Sequence, residues 1–184
     1  LEDPAARVWA LLRRAAEHYG LDPAEVSRSV VILDGSAAED SALAVEVSEA
    51  GVRRLLPTAA YAELLELAAG TDLIVIDNAS DAFDGDENNR RMVRRFVRGM
   101  LGTIARSHDC GLLLLAHVDK SAARYGAKGN SYSGSTGWHN SARSRLAIVE
   151  NEAGTLELIH EKANLGKRAE TVRLQWSAAG MLEP

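Results

Sequence analysis

Two short, unbroken apolar runs stand out in the hydrophobic pattern, Leu73-Ile74-Val75-Ile76 and Leu112 to Ala116. A polar residue closes each, Asp77 for the first and His117 for the second. Continuous apolar runs of this length predict strands buried on both faces. Between them Met92, Val93, Phe96, Val97, Met100, Leu101, Ile104 and Ala105 recur at helical spacing and leave a row of arginines outward. Strand, helix and strand in that order predict a βαβ unit, hence a parallel pair with a right-handed crossover.

The flanking patterns extend this picture in both directions. Glu2-Asp3-Pro4 reads as a strand end running into a helix, with Asp3 as N-cap and Pro4 in the first turn. Val8, Leu12, Ala15, Ala16 and Tyr19 share one face of that helix, and Gly20 ends it. Asp22-Pro23 opens a second short helix. Val30 to Leu33 and Leu43 to Val47 predict strands, and Thr58 to Ala69 a helix capped by Thr58 and stopped by Gly70. Lys120 to Gly137, rich in Gly, Ser and Asn, predicts a loop. Arg145 to Glu150, Thr155 to Glu161 and Thr171 to Trp176 alternate as strands, with a hairpin turn at Asn151-Glu152-Ala153-Gly154. With no internal repeat or linker, the expected architecture is a single α/β domain over residues 1–184. It has a mostly parallel sheet flanked by helices and a C-terminal antiparallel hairpin extension.

Composition narrows the functional classes. With 46% hydrophobic and 26% charged residues the chain is ordinary for a globular domain, and its length suffices for a real core. No apolar run approaches the ~18 to 20 residues of a membrane span, and no basic-then-apolar signal peptide opens the chain. The single cysteine, Cys110, excludes an internal disulfide, and a cytoplasmic location is expected. A net charge of −5 argues against nucleic-acid binding by the whole surface. Local basic clusters remain: Arg90, Arg91, Arg94, Arg95 and Arg98, and separately Lys162, Lys167 and Arg168. The first reads as a solvated helix face. The five histidines lack metal-ligand spacing, so no zinc site is expected.

Chemistry is expected where open parallel sheets bind ligands, beyond the carboxyl ends of the strands. Glu2, Asp77 and His117 occupy such positions. An acid ending a buried strand, like Asp77, suits a magnesium ion held through water, the Walker B arrangement of nucleoside triphosphatases. It equally suits a carboxylate capping a strand-to-loop turn. His117 at the neighbouring strand end suits a sensor of a terminal phosphate, or a hydrogen-bonded structural histidine. Both alternatives stay open on these residues alone.

A family resemblance adds to this. Glu2-Asp3-Pro4, Asp77, Leu115-Ala116-His117-Val118-Asp119-Lys120, the segment Ser133 to Arg143, and Glu161-Lys162-Ala163-Asn164-Leu165-Gly166 resemble successive motifs of the RepA-type plasmid-replication helicases. These are RecA-like, ring-forming ATPases, so the resemblance implies a RecA-like P-loop NTPase core that uses ATP and Mg²⁺. It further implies a hexameric homo-oligomer and single-stranded DNA as partner. By the same resemblance, Glu2 polarises the attacking water, Asp77 is the magnesium-associated acid and His117 senses the γ-phosphate. Arg143 is then an arginine finger acting on the neighbouring subunit, and Lys162 lies at that boundary beside the nucleotide. The loop from Lys120 to Ser135 contacts DNA through Lys120, Arg124 and Lys128, with Tyr125 and Tyr132 for base stacking. The phosphate-binding pattern G-x-x-x-x-G-K-[ST] is absent. Because the family carries it just before the strand of Glu2, an N-terminally truncated chain, inactive alone, is expected. Two other readings stand beside this: a nucleotide-binding accessory or regulatory protein with little motor activity, and a non-enzymatic DNA- or protein-binding module that never had a phosphate loop.

Overall fold

The computed structural model describes residues 3–36, 38, 40–117 and 136–184. Helix α1 (Ala5–Tyr19) begins one residue later than Asp3-Pro4 predicts. Pro4 is its N-cap and has no side-chain oxygen to offer. The first free amide, that of Ala5, donates instead to Asp34 Oδ2 at 2.8 Å, a cap from a distant part of the chain. Asp3 forms an i,i+4 ion pair with Arg7. Gly20 closes the helix at φ 68°, a conformation that costs glycine little. Helix α2 (Pro23–Ser29) follows, capped by Asp22. The strand expected at Val30 to Leu33 does not form. Val31 is 76% exposed, and among the described residues no strand pairs with it.

Strands β1 (Ala44–Glu49) and β2 (Val52–Pro57) form an antiparallel hairpin. Its two turn residues, Ala50 and Gly51, both have positive φ, the geometry that matches strand twist in a two-residue loop. Helix α3 (Ala59–Leu67) is capped by Thr58 Oγ1, and Gly70 follows it at positive φ. Strand β3 (Leu73–Ile76) leads through Asp77 to a one-turn helix, α4 (Ala79–Ala82), and to β4 (Phe83–Asp84), which pairs in parallel with β1. Helix α5 (Arg90–Arg94) passes without a break into a π-helical stretch (Arg95–Leu101) and then into α6 (Gly102–His108). Strand β5 (Gly111–Leu114) returns beside β3 in parallel, Leu73 opposite Gly111 through Ile76 opposite Leu114. The predicted βαβ unit is therefore present.

Two expectations need correction. The runs Leu73–Ile76 and Leu112–Ala116 are not buried on both faces. Ile74 and Ile76 are buried, whereas Leu73, Val75, Leu113 and Leu115 are exposed on the opposite face. Nor is there one mostly parallel sheet. The described strands form three sheets: mixed β2-β1-β4, parallel β3-β5, and an antiparallel β6-β7-β8-β9 meander. The meander consists of β6 (Ser144–Glu150), β7 (Leu156–Ala163), β8 (Val172–Trp176) and β9 (Leu182–Glu183). Alternation predicted its first three strands. The turn at Asn151 is as expected, with its Oδ1 accepting from the amides of Ala153 and Thr155 and Gly154 at positive φ.

The core lies between the apolar side of β3 and the α5–α6 helix. Val93, Phe96, Leu101 and Ile104 are its largest fully buried side chains. Helix α7 (Thr136–Ser141) joins it through Trp138. That ring meets Phe83 at 5.8 Å and Phe96 at 6.2 Å, edge to face in both cases, an arrangement favoured by the ring quadrupoles.

Candidate functional site

Asp77 and His117 lie just beyond β3 and β5, and their surroundings are built by the backbone. The Leu115 amide donates to Ile76 O at 2.9 Å, and the Ala79 amide donates to Leu115 O at 2.8 Å. These two bonds bracket Asp77 and clamp its turn against the residues that follow β5. Asn78 finishes the clamp from below. It is buried, and its Oδ1 caps α4 by accepting from the amides of Ser80 and Asp81. Its Nδ2 also donates to Asp81 Oδ2 at 3.2 Å. The Asp77–Asn78 peptide is cis. Asp77 itself is exposed, as is His117. The result is a carboxylate and an imidazole facing solvent from the same end of two hydrogen-bonded parallel strands.

Arg143 and Lys162 come together at a different place, on the β6–β7 sheet. Arg143 is exposed between α7 and β6, and its carbonyl accepts from Asn164 N at 3.0 Å. Lys162 Nζ donates to the carbonyls of His139 at 2.9 Å and Ala142 at 2.7 Å, so the ammonium closes the C-terminal end of α7. Burial lowers its pKa from the usual lysine range, helped by the nearby charges of Arg98 and Arg145. Beside it Arg145 Nε pairs with Glu161 Oε2 at 2.8 Å, and Arg145 Nη1 lies 2.8 Å from His139 Nδ1. Burial, then Arg145 and Lys162, hold the His139 pKa below its ordinary value, against the opposing pull of Glu161.

The eight residues singled out in the sequence thus divide three ways. Asp77 with His117 share one sheet end, and Arg143 with Lys162 share another. Glu2, Lys120, Arg124 and Lys128 lie outside the described residues. Sequence reasoning missed Asn78 and the Arg145–Glu161 pair. An Asn just before a Ser-Asp helix start is a legible N-cap. The ion pair needed the β6–β7 register to be seen.

A family model for AAA domains (AAA_25) matches residues 1–123, more than half of the chain. The chain belongs to the AAA domain family. The matched part of this AAA domain contains β3, β5, Asp77 and His117, whereas Arg143, Lys162 and the C-terminal meander lie beyond it. No curated protein matches the chain. Among solved structures, an ATPase domain is similar at 15% identity with a TM-score of 0.49, over 66% of this chain and 49% of that one. The chain thus spans about half the length of that structure. Among the described residues, no group of His, Cys, Asp and Glu is arranged to hold a metal ion by itself, and no helix is long and apolar enough to cross a membrane.

Proposed function

We propose that the protein is a RecA-like ATPase of the RepA helicase type, coupling ATP hydrolysis to movement along or remodelling of single-stranded DNA in a homo-oligomeric, hexameric ring. The observation that supports this most is the placement of Asp77 and His117 beyond adjacent parallel strands of an AAA domain. A carboxylate is a hard oxygen donor of the kind Mg²⁺ prefers, usually through retained waters. An exposed acid on a clamped turn fits that requirement. Asp77 would hold a magnesium ion through its waters, and the ion would supply charge neutralisation on the phosphates. His117 would hydrogen-bond the terminal phosphate, and Glu2 would orient and polarise the attacking water.

Arg143 is the finger directed at a neighbouring subunit's phosphates, in keeping with its exposure and its separation from the β3–β5 sheet. Lys162 acts as a positioning residue for Arg143, because its ammonium is already engaged by the two carbonyls of α7 and the adjoining turn. Lys120, Arg124 and Lys128 contact DNA. The G-x-x-x-x-G-K-[ST] cradle is not among these 184 residues, so weak nucleotide affinity is expected of them alone.

The test is ATP turnover by the full-length protein with and without single-stranded DNA. DNA-stimulated turnover is expected, with Asp77→Asn abolishing it while the fold is kept. Arg143→Ala should lower kcat by about 10³-fold or more. Mixing it with Glu2→Gln subunits should recover part of the activity. Wild-type protein that never hydrolyses ATP, or mixtures whose activities only add, would sink the reading.

A further inference from the structure

We infer that the outward face of α5 and the π-helical stretch is a docking surface for the phosphate backbone of nucleic acid, separate from the hydrolytic site. From Asn88 to His108 the chain carries six arginines and no acidic residue. A helix face that is merely solvated normally interleaves acids and bases at i,i+3 and i,i+4, since each such pair is stabilising and like charges repel. This helix does the opposite. Arg90 and Arg94 lie one turn apart, as do Arg91 and Arg95, and all four are exposed. Among the described residues none of the four has an ion-pair partner.

The concentration of charge continues behind this row. Arg98 donates to Asn140 O at 2.8 Å and adds its field at Lys162. The opposite side of the same helix holds Met92, Val93 and Phe96 fully in the core, so the arginines stand on a rigid base. Four like charges held together on a chain of net charge −5 call for an anion of high charge density. Guanidinium groups in two ranks suit successive phosphates of a polymer better than a single small ion. Choosing nucleic acid over an acidic protein rests on the reading given under Proposed function; the surface itself does not.

The experiment measures binding of the 184-residue chain to a fluorescein-labelled oligothymidylate by anisotropy, without ATP, across a salt series. Arginine-to-glutamine changes are chosen because both residues favour helix, and circular dichroism checks the fold. The quadruple variant R90Q/R91Q/R94Q/R95Q should bind at least tenfold more weakly and lose about 3 from the log–log salt slope, at roughly 0.7 per single-strand phosphate. The double variant R90Q/R94Q should lose about half of that slope. A charge-matched control, R13Q/R14Q/R28Q/R54Q, removes four exposed arginines elsewhere and should change little. Equal losses in control and helix variants, no loss in either, or displacement of the oligonucleotide by polyglutamate at equal charge concentration would overturn the proposal. Arginine-dependent binding by a full-length protein that lacks ATP turnover would leave the surface standing and remove the motor. Unchanged oligonucleotide binding by the quadruple variant, with DNA-stimulated turnover intact, would do the reverse.

Discussion

Asp34 shows how one residue can organise a segment far from it in sequence. Its carboxylate accepts from the amide of Ala5 and from the hydroxyl and amide of Ser36. Those bonds, the Ala5 amide first, lower its pKa to about 2. A carboxylate depressed in the folded state contributes stability above its unfolded pKa and loses it as pH falls toward the folded value. Asp34→Ala should therefore fray the first turn of α1, read as faster hydrogen exchange at Ala5 to Val8. The difference from wild type should vanish near pH 2. His139 carries a second titration, of opposite charge type. Its folded pKa lies below the ordinary value near 6.5, so the unfolded chain takes up a proton first. Stability is full above about pH 6.5 and is lost as pH falls below it. His139→Asn retains an acceptor for Arg145 but cannot titrate there. The difference in melting temperature between the two proteins should stay constant above about pH 7, and the wild type should lose stability relative to the variant as pH falls below about 6.5.

The two faces of β3 differ sharply in burial. Ile76 is 5% exposed and Val75 is 52% exposed, although they are neighbours in one apolar run. In the 184-residue chain Ile76→Ala should cost about 2 to 5 kcal/mol, combining lost transfer energy with a cavity. Val75→Thr should stay within roughly 0.5 kcal/mol. Chemical denaturation distinguishes the two; equal costs would show both faces of the strand to be packed. Helix α7 makes the complementary point. Its six residues are too few to be stable by themselves. Trp138 in the core, the Arg98 bond to Asn140 and the Lys162 cap hold it from three sides. That anchoring gives the segment around Arg143 a fixed base on β6.

Across the whole molecule, the candidate site residues among those described fall at two of the three sheets. Asp77 and His117 follow the strands of the parallel pair β3-β5, Lys162 lies on β7 of the antiparallel meander, and Arg143 immediately precedes β6. The AAA match covers the first group and stops short of the second. Such a division suits a site completed between subunits, and the mixing experiment with Arg143→Ala and Glu2→Gln tests it at this scale.

Much of this was legible in the sequence because it depends on neighbours within a turn or two. Gly20 and Thr58 mark helix ends, the stripe from Met92 to Ala105 marks the long helix, and the Asn151–Gly154 turn marks a hairpin. Asp77 and His117 were legible for the same reason, as polar residues that end apolar runs. The burial of one face of β3 and exposure of the other was not, since Leu73-Ile74-Val75-Ile76 offers four nearly equal side chains. Only the elements packed above and below decide which pair is covered. The same holds for Asp34, Lys162 and Arg145, whose partners are distant in sequence and meet them only through the chain's path in space. The arginine face shows both levels together. Its charge and its outward placement were written in the sequence, but only the fold showed that four of its members are unpaired among the described residues and backed by the buried core.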